Sequence, residues 1–298
     1  MEHTLLDTFV SKMDAHRFCI HGITVLQNGN TVAQHRWRRD DRENLYSASK
    51  SFVSIAIGMA IDEGLLSLTD LAADFFGDRI PAGADPRYSL ITIRDLLTMA
   101  SGHAEGFLFA NQPHTYIEKD WVRYFFSQPL TYEPGSHFTY NNGCTYLLSA
   151  ILTARTGQTV RDFLLPRLFD VLGIGNPQWF CCPMGVNTGG NGLFLTTDEL
   201  ARFGQMLLDG GVYGGKRLIS KQYLDLATAS QIETDADGDY GFQFWMCREP
   251  NSYMASGKYD QLCIVVPERN AVVSITAHVE QDNKIVHDAL WEDVIAKL

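Results

Sequence analysis

Ser47 and Lys50 stand three residues apart in Leu45-Tyr46-Ser47-Ala48-Ser49-Lys50, and the run that follows, Phe52 to Ile61, is apolar at almost every angle around a helical axis. That pattern predicts a helix buried on all sides, with Lys50 carried into the interior. A buried ammonium costs roughly several kcal/mol unless it is paired or gives up its proton. Residues three apart share one helix face, so the amine comes within hydrogen-bond reach of the Ser47 hydroxyl. A serine must lose its proton while it attacks, and Lys50 can either accept that proton or lower the pKa of the group that does. The opposing reading is a serine N-cap followed by a lysine that snorkels to solvent; the buried helix behind the pair speaks against it.

Two further segments carry groups that suit the same chemistry. Pro134-Gly135-Ser136-His137-Phe138-Thr139-Tyr140-Asn141-Asn142-Gly143 precedes a helix and offers a phenol and a carboxamide. A phenol near an ammonium can hold its anion at workable pH. Taken alone, Tyr140 is a core tyrosine and Asn142 a helix cap. Met254-Ala255-Ser256-Gly257-Lys258 stands just ahead of an apolar strand. A glycine-containing strand beside the nucleophile could bring a backbone N–H to a developing oxyanion, with the Ser47 N–H as the other donor; its plain reading is a strand in tight approach.

The elements that must position these groups follow from periodicity and turn chemistry. Leu5, Leu6, Phe9, Val10 and Met13 predict an opening amphipathic helix, and Ile23–Leu26, Asn28-Gly29 and Thr31–Ala33 a hairpin. Arg36-Trp37-Arg38-Arg39 reads as a solvated strand end. Thr92-Ile93-Arg94-Asp95 opens a helix that Gly102 stops; Thr145 to Arg155 forms another that Gly157 ends; Thr196-Thr197-Asp198-Glu199 caps a third that stops at Gly210-Gly211. The segment from His103 to Leu130 is rich in aromatics (Phe107, Phe109, Tyr116, Trp121, Tyr124, Phe125, Phe126) and reads equally as core or as the wall of a cleft. Gly189-Gly190-Asn191-Gly192 is a turn without the spacing of a phosphate loop. Tyr240–Trp245, Leu262–Val266 and Ala271–Ile275 predict strands, and Ile285, Leu290, Val294 and Ile295 a closing helix.

Strands at both ends and helices between them imply an α+β fold: one antiparallel sheet flanked by N- and C-terminal helices, with a mostly helical subdomain inserted. The boundaries expected within a single domain of residues 1–298 are about 1–64 and 190–298 for the sheet part and about 65–189 for the helical part. A length of 298 residues with 45% hydrophobic content supports a substantial core, and a net charge of −11 argues against a nucleic-acid or anionic-membrane partner. Met1–Asp7 has no basic region followed by an apolar run, and no run is long enough to span a bilayer, so a cytoplasmic location is expected. The six cysteines lack a repeated spacing and fit free thiols; no metal site and no cofactor are expected.

Ser47-x-x-Lys50, then Tyr140-x-Asn142, then Ala255-Ser256-Gly257 occur in the order used by the penicillin-recognising serine hydrolases. The chain resembles the class C β-lactamase-related group, which also contains esterases, D-amino-acid peptidases and amide hydrolases. Leu96–Gly102, Gly192–Ala201 and Val266-Pro267-Glu268-Arg269 are similar to that group's wording, and the resemblance runs from near Ile20 to near His278. It implies a β-lactamase/transpeptidase-like fold and a serine hydrolase acting on a small ester, amide or lactam. Ser47 would be the acylated nucleophile, Lys50 its proton partner, Tyr140 the general base and acid, and Asn142 a substrate-positioning amide. Ala255, Ser256, Gly257 and Lys258 would form the substrate-binding third motif, with the Lys258 N–H in the oxyanion hole. The third motif usually begins with a lysine or histidine, and Ala255 departs from that; the side chain of Lys258 or Arg248 is the available replacement. The alternative is a non-hydrolytic penicillin-binding or sensing protein that is acylated without efficient turnover. An interaction scaffold has no need of a buried lysine.

Overall fold

Two apolar cores lie on opposite faces of one antiparallel sheet, and residue alternation along the strands decides which side chain enters which core. In the computed structural model, which describes residues 5–109, 111–112, 117–236, 238–281 and 283–298, the six strands run in the order β2-β1-β10-β9-β8-β7. They are β1 (Ile20–Gln27), β2 (Asn30–Arg36), β7 (Trp245–Met246), β8 (Tyr253–Gly257), β9 (Gln261–Val266) and β10 (Ala271–Ala277). Short pairs β3 (Glu43–Asn44) with β4 (Phe194–Leu195) and β5 (Val212–Tyr213) with β6 (Lys216–Arg217) complete the strands. Asn28 and Gly29, at φ 52 and 74, make the β1–β2 turn, the conformation that an Asn-Gly pair favours.

From β9, Leu262, Ile264 and Val266 pack with Phe9 and Met13 of helix α1 (Asp7–His16) and with Val286 and Ala289 of α9 (Asn283–Ala289). Cys263 and Val265 join the larger core on the other face. With both faces covered, β9 reads as an unbroken apolar run instead of an alternating one. The larger core takes in helices α2 (Ser49–Asp62), α3 (Ile93–Leu97), α4 (Trp121–Ser127), α5 (Asn142–Thr156), α6 (Val160–Leu164), α7 (Thr197–Leu208) and α8 (Lys221–Ala227). Helix α2 is its axis: every residue from Ser49 to Ala60 is buried, and Phe52 stacks on Phe203 of α7 with ring centroids 3.8 Å apart. This is the α+β arrangement expected of the chain.

The capping boxes of α3 (Thr92 with Asp95) and α7 (Thr196 with Glu199) form as their sequences predict, and Gly157 ends α5 at φ 70. Three expectations need correction. Helix α3 stops at Leu97, because Met99 already turns left-handed at φ 61; Gly102 instead sits where its carbonyl receives the N–H groups of Thr131 and Tyr132. The Tyr240–Trp245 run is broken by Gln243 at φ 64, whose side-chain amide donates to the carbonyls of Leu96 and Leu97 and so caps α3; only Trp245–Met246 pairs as strand. Of the Arg36–Arg39 segment, Arg38 and Arg39 are solvated as expected, but Arg36 is not. Its guanidinium lies over Gly22, donates to the Ile23 carbonyl and Thr24 hydroxyl, and pairs with Asp198 at the start of α7.

Phe107, Trp121, Phe125 and Phe126 are core, whereas Phe109 approaches the Tyr140 ring; Tyr116 lies outside the described residues. All six cysteines are free, and no helix among the described residues is long and apolar enough to cross a membrane. Phe52→Ala would open a cavity between α2 and α7, with an expected loss of about 3–5 kcal/mol read by chemical or thermal unfolding.

Candidate active site

The Ser47 turn is held by its neighbours' backbones. Tyr46–Ala48 is a 3₁₀ turn running straight into α2, so Ser47 and Lys50 occupy the first turns of the buried helix. Tyr46 adopts φ 46, a strained conformation for a residue with a ring, immediately before the serine. Its N–H donates to Asn44 Oδ1 at 2.9 Å, the Leu45 N–H to the Leu193 carbonyl at 2.8 Å, and the Ala48 N–H to the Leu45 carbonyl at 3.1 Å. On the other side stands β8, where a Cβ on Gly257 would lie 2.1 Å from the Leu45 carbonyl oxygen and 3.0 Å from the Ala48 nitrogen. Only glycine permits this approach of strand to turn.

Lys50 is 1% exposed and its amine is surrounded by acceptors. Nζ lies 2.6 Å from Asn142 Oδ1, 2.9 Å from the Gly190 carbonyl and 3.0 Å from Ser47 Oγ. Burial pushes its pKa down to about 7, opposed only partly by the Cys144 thiol. Asn142 is the first residue of α5; Asn141 is the cap, its Oδ1 accepting the N–H groups of Gly143 and Phe107. The Asn142 amide is held at both ends, since Nδ2 donates to the Leu108 carbonyl at 3.1 Å. It therefore orients Lys50, with its oxygen toward the amine.

Tyr140 lies above Lys50, whose Nζ is 4.8 Å from the ring centroid. The amine lies over the ring, and it is burial that disfavours a phenolate here. Burial pushes the Tyr140 pKa up to about 12, and the hydrogen bond with Ser47 pulls it only slightly back. The expectation of an ionised phenol is thus replaced by a protonated one at neutral pH.

Ser47 and Tyr140 open into a cleft of about 550 Å³ that is also lined by Trp245, Ser256, Gly257 and Lys258. Trp245 stacks on Tyr140 at 5.8 Å and 26°, and with Phe138 and Tyr240 makes an aromatic wall. Ala255 is 2% exposed and turns into the larger core. Of the two candidate replacement cations, Lys258 lines the cleft, its ammonium over the Tyr259 ring at 4.7 Å. Arg248 lines a different cavity and pairs with Asp288.

The structure therefore brings together Ser47, Lys50, Tyr140, Asn142 and the Ser256–Lys258 end of the third motif, and sets Ala255 and Arg248 apart. Sequence reasoning missed Gly190, Gln243 and Trp245. A Cβ on Gly190 would sit 2.8 Å from Asn142 Oδ1, and this close approach, together with its carbonyl, is what the glycine run serves. Gln243 receives the Ser51 hydroxyl at its carbonyl and the Thr145 hydroxyl at Oε1, locking α2 to α5 behind the site. Among the described residues no group of three or more His, Cys, Asp or Glu side chains is placed to hold a metal.

The sequence profile of the Beta-lactamase family matches residues 7–296, so the chain belongs to the Beta-lactamase family. Its curated relatives include a lovastatin esterase of Penicillium rubens, 31% identical over 47% of this chain and 40% of its own, and a D-aminopeptidase of Brucella anthropi, 29% identical over 51% of this chain and 31% of its own. The chain thus spans less than half the length of these two relatives. The penicillin-binding protein of Bacillus halodurans shares the fold at a TM-score of 0.77 and 18% identity, over 98% of this chain and 99% of that one.

Gly257→Ala forces β8 and the Ser47 turn apart. The expected outcome is a fall of about 10²-fold in kcat/KM for an activated ester, with far-UV circular dichroism unchanged.

Proposed function

We propose that this protein is a serine hydrolase that cleaves a small ester, amide or lactam through an acyl-enzyme on Ser47. The observation that carries the reading is the arrangement of acceptors around Lys50. The Asn142 and Gly190 oxygens can only accept, so they take the two N–H groups of a neutral amine and leave its lone pair facing the Ser47 hydroxyl. A pKa of about 7 makes that neutral form available near neutral pH.

As Ser47 Oγ bonds to the substrate carbonyl carbon, its proton passes to Lys50 Nζ. The oxyanion is received by the backbone N–H groups of Ser47 and Lys258, a pairing that the close approach of β8 at Gly257 to the Ser47 turn supports. Tyr140 gives its phenol proton to the leaving oxygen or nitrogen, and the bond to the carbonyl breaks. The resulting phenolate takes a proton from the incoming water, which attacks the acyl carbon, and Lys50 returns its proton to Ser47 as the product acid leaves. Protons balance over the cycle with no metal or cofactor. The partner is a small molecule, and an ester or amide suits a cleft with Ala255 at the head of its third motif better than a lactam carboxylate does.

The alternative reading is a penicillin-binding or sensing protein that is acylated without efficient turnover. Burial pushes the Tyr140 pKa up to about 12, so the phenol becomes a base for water only after it has given its proton to the leaving group. A stable adduct with nitrocefin and no turnover of esters would assign the chain to the penicillin-binding or sensing class.

The hydrolase reading is tested by Ser47→Ala, which is expected to abolish turnover of p-nitrophenyl acetate and labelling by a fluorophosphonate, read by intact mass. Labelling that survives the substitution would refute it. Because the base form of Lys50 is the active one, kcat/KM should rise with pH along a limb centred near 7 and level off above it. A flat profile from pH 5.5 to 8.5 would remove Lys50 from the base role.

A further inference from the structure

The cleft beside Ser47 changes character along β8. Lys258, Asp260, Glu280 and His287 enter its described lining from the β8–β9 turn and from the segment after β10. Toward the other end of the strand the lining is Met254, Trp245 and Tyr140, which bring no charge at neutral pH. Trp245 and Met254 stand opposite one another in the β7–β8 pair. Met254 precedes Gly257 by three residues, about 10 Å along the strand.

Trp245 is the part of this apolar end that is both held and open. Tyr240 meets its ring edge-on at 4.7 Å, Phe138 does so at 5.9 Å, and Tyr140 lies within 26° of parallel at 5.8 Å. The indole is nevertheless only half-buried, and what remains open faces the cleft. A ring fixed by its neighbours loses little freedom when it receives another, and its quadrupole favours an aromatic partner, offset or edge-on, over a saturated one.

We propose that Trp245 selects the acyl group, and that the substrate is an ester or amide of an arylalkanoic acid whose ring packs on the indole. Reach agrees. From a carbonyl carbon bonded to Ser47, a phenyl ring two methylenes away is centred roughly 5 Å off. Paired rings sit about 4.5–7 Å apart, so the two lengths together cover the separation along β8. The acyl side is assigned because water must follow the leaving group to Tyr140, which an apolar wall opposes, whereas the acyl group stays on Ser47 through both steps. This inference rests on the acyl-enzyme reading for turnover, but its recognition step is separable.

The p-nitrophenyl esters of 3-phenylpropanoic and 3-cyclohexylpropanoic acid test it, since they share a leaving group and differ only far from the carbonyl. The cyclohexyl ring buries more apolar surface, so burial alone favours that ester. Expected is a kcat/KM about three- to tenfold higher for the phenyl ester, a ratio that falls to about one or below with Trp245→Leu and returns with Trp245→Phe. Equal values, a preference for the cyclohexyl ester, or a phenyl preference that survives Trp245→Leu would overturn the proposal. Should Trp245→Leu not fold, Trp245→Met takes its place. The two carboxamides, titrated calorimetrically into Ser47→Ala protein, read the same preference without turnover, and equal or reversed affinities there also overturn it. Failure of the hydrolase reading shows separately, as absence of fluorophosphonate labelling in the unsubstituted enzyme.

Discussion

A buried amine with carbonyl oxygens on two sides is the constraint on which the site depends. Lys50 has left water, and what replaces water comes from segments far apart in the chain: the first turn of α5 through Asn142 and the glycine turn through Gly190. Burial lowers its pKa to about 7, and the two acceptors decide where the N–H groups of the neutral amine point. One group thereby becomes basic and aimed by the same packing. The cost is borne by the surrounding fold, which explains why α2 is enclosed on every side and why Gln243 ties α2 to α5 by hydrogen bonds that have no role in chemistry.

Close backbone approach is the second requirement. Gly257 allows a strand to lie against the Ser47 turn, and Gly190 allows a carbonyl to reach Lys50; in each case a methyl group would occupy space held by an oxygen. Strain collects at the same places. Tyr46 before Ser47, Gln243 behind it, and Tyr259 with Asp260 beside it all hold left-handed conformations. Their cost is met by the rigid sheet and helices that bracket them.

The parts of this arrangement that were legible in the sequence are those encoded locally. Period-two and helical patterns marked the strands and helices, capping boxes marked the starts of α3 and α7, and Ser47 with Lys50 could be paired because three residues span one turn. Tyr140 and Asn142 were found only through the joint order of motifs, since each alone reads as structure. What stayed hidden was set by tertiary contact. The Gly190 carbonyl, the inward turn of Ala255, the capping role of Gln243 and the aromatic stacking of Trp245 on Tyr140 leave no local signal. The burial of Tyr140, which reversed the expected ionisation of the phenol, is likewise a matter of tertiary packing that no spacing encodes.

The pairing of β1 with β10 has a consequence for the time at which this site comes into being. Strand β1 leaves synthesis early and has β2 beside it at once, but its other edge waits for Ala271–Ala277. Strand β8, which carries Gly257, is joined to β1 only through β9 and β10. Ser47 is therefore made long before Gly257 and Lys258 can be fixed beside it, and a growing chain carries the serine without the cleft. Such distant pairing slows folding and leaves a strand edge open meanwhile. It also means that the cleft at Ser47 is completed late, when the last strand closes the sheet.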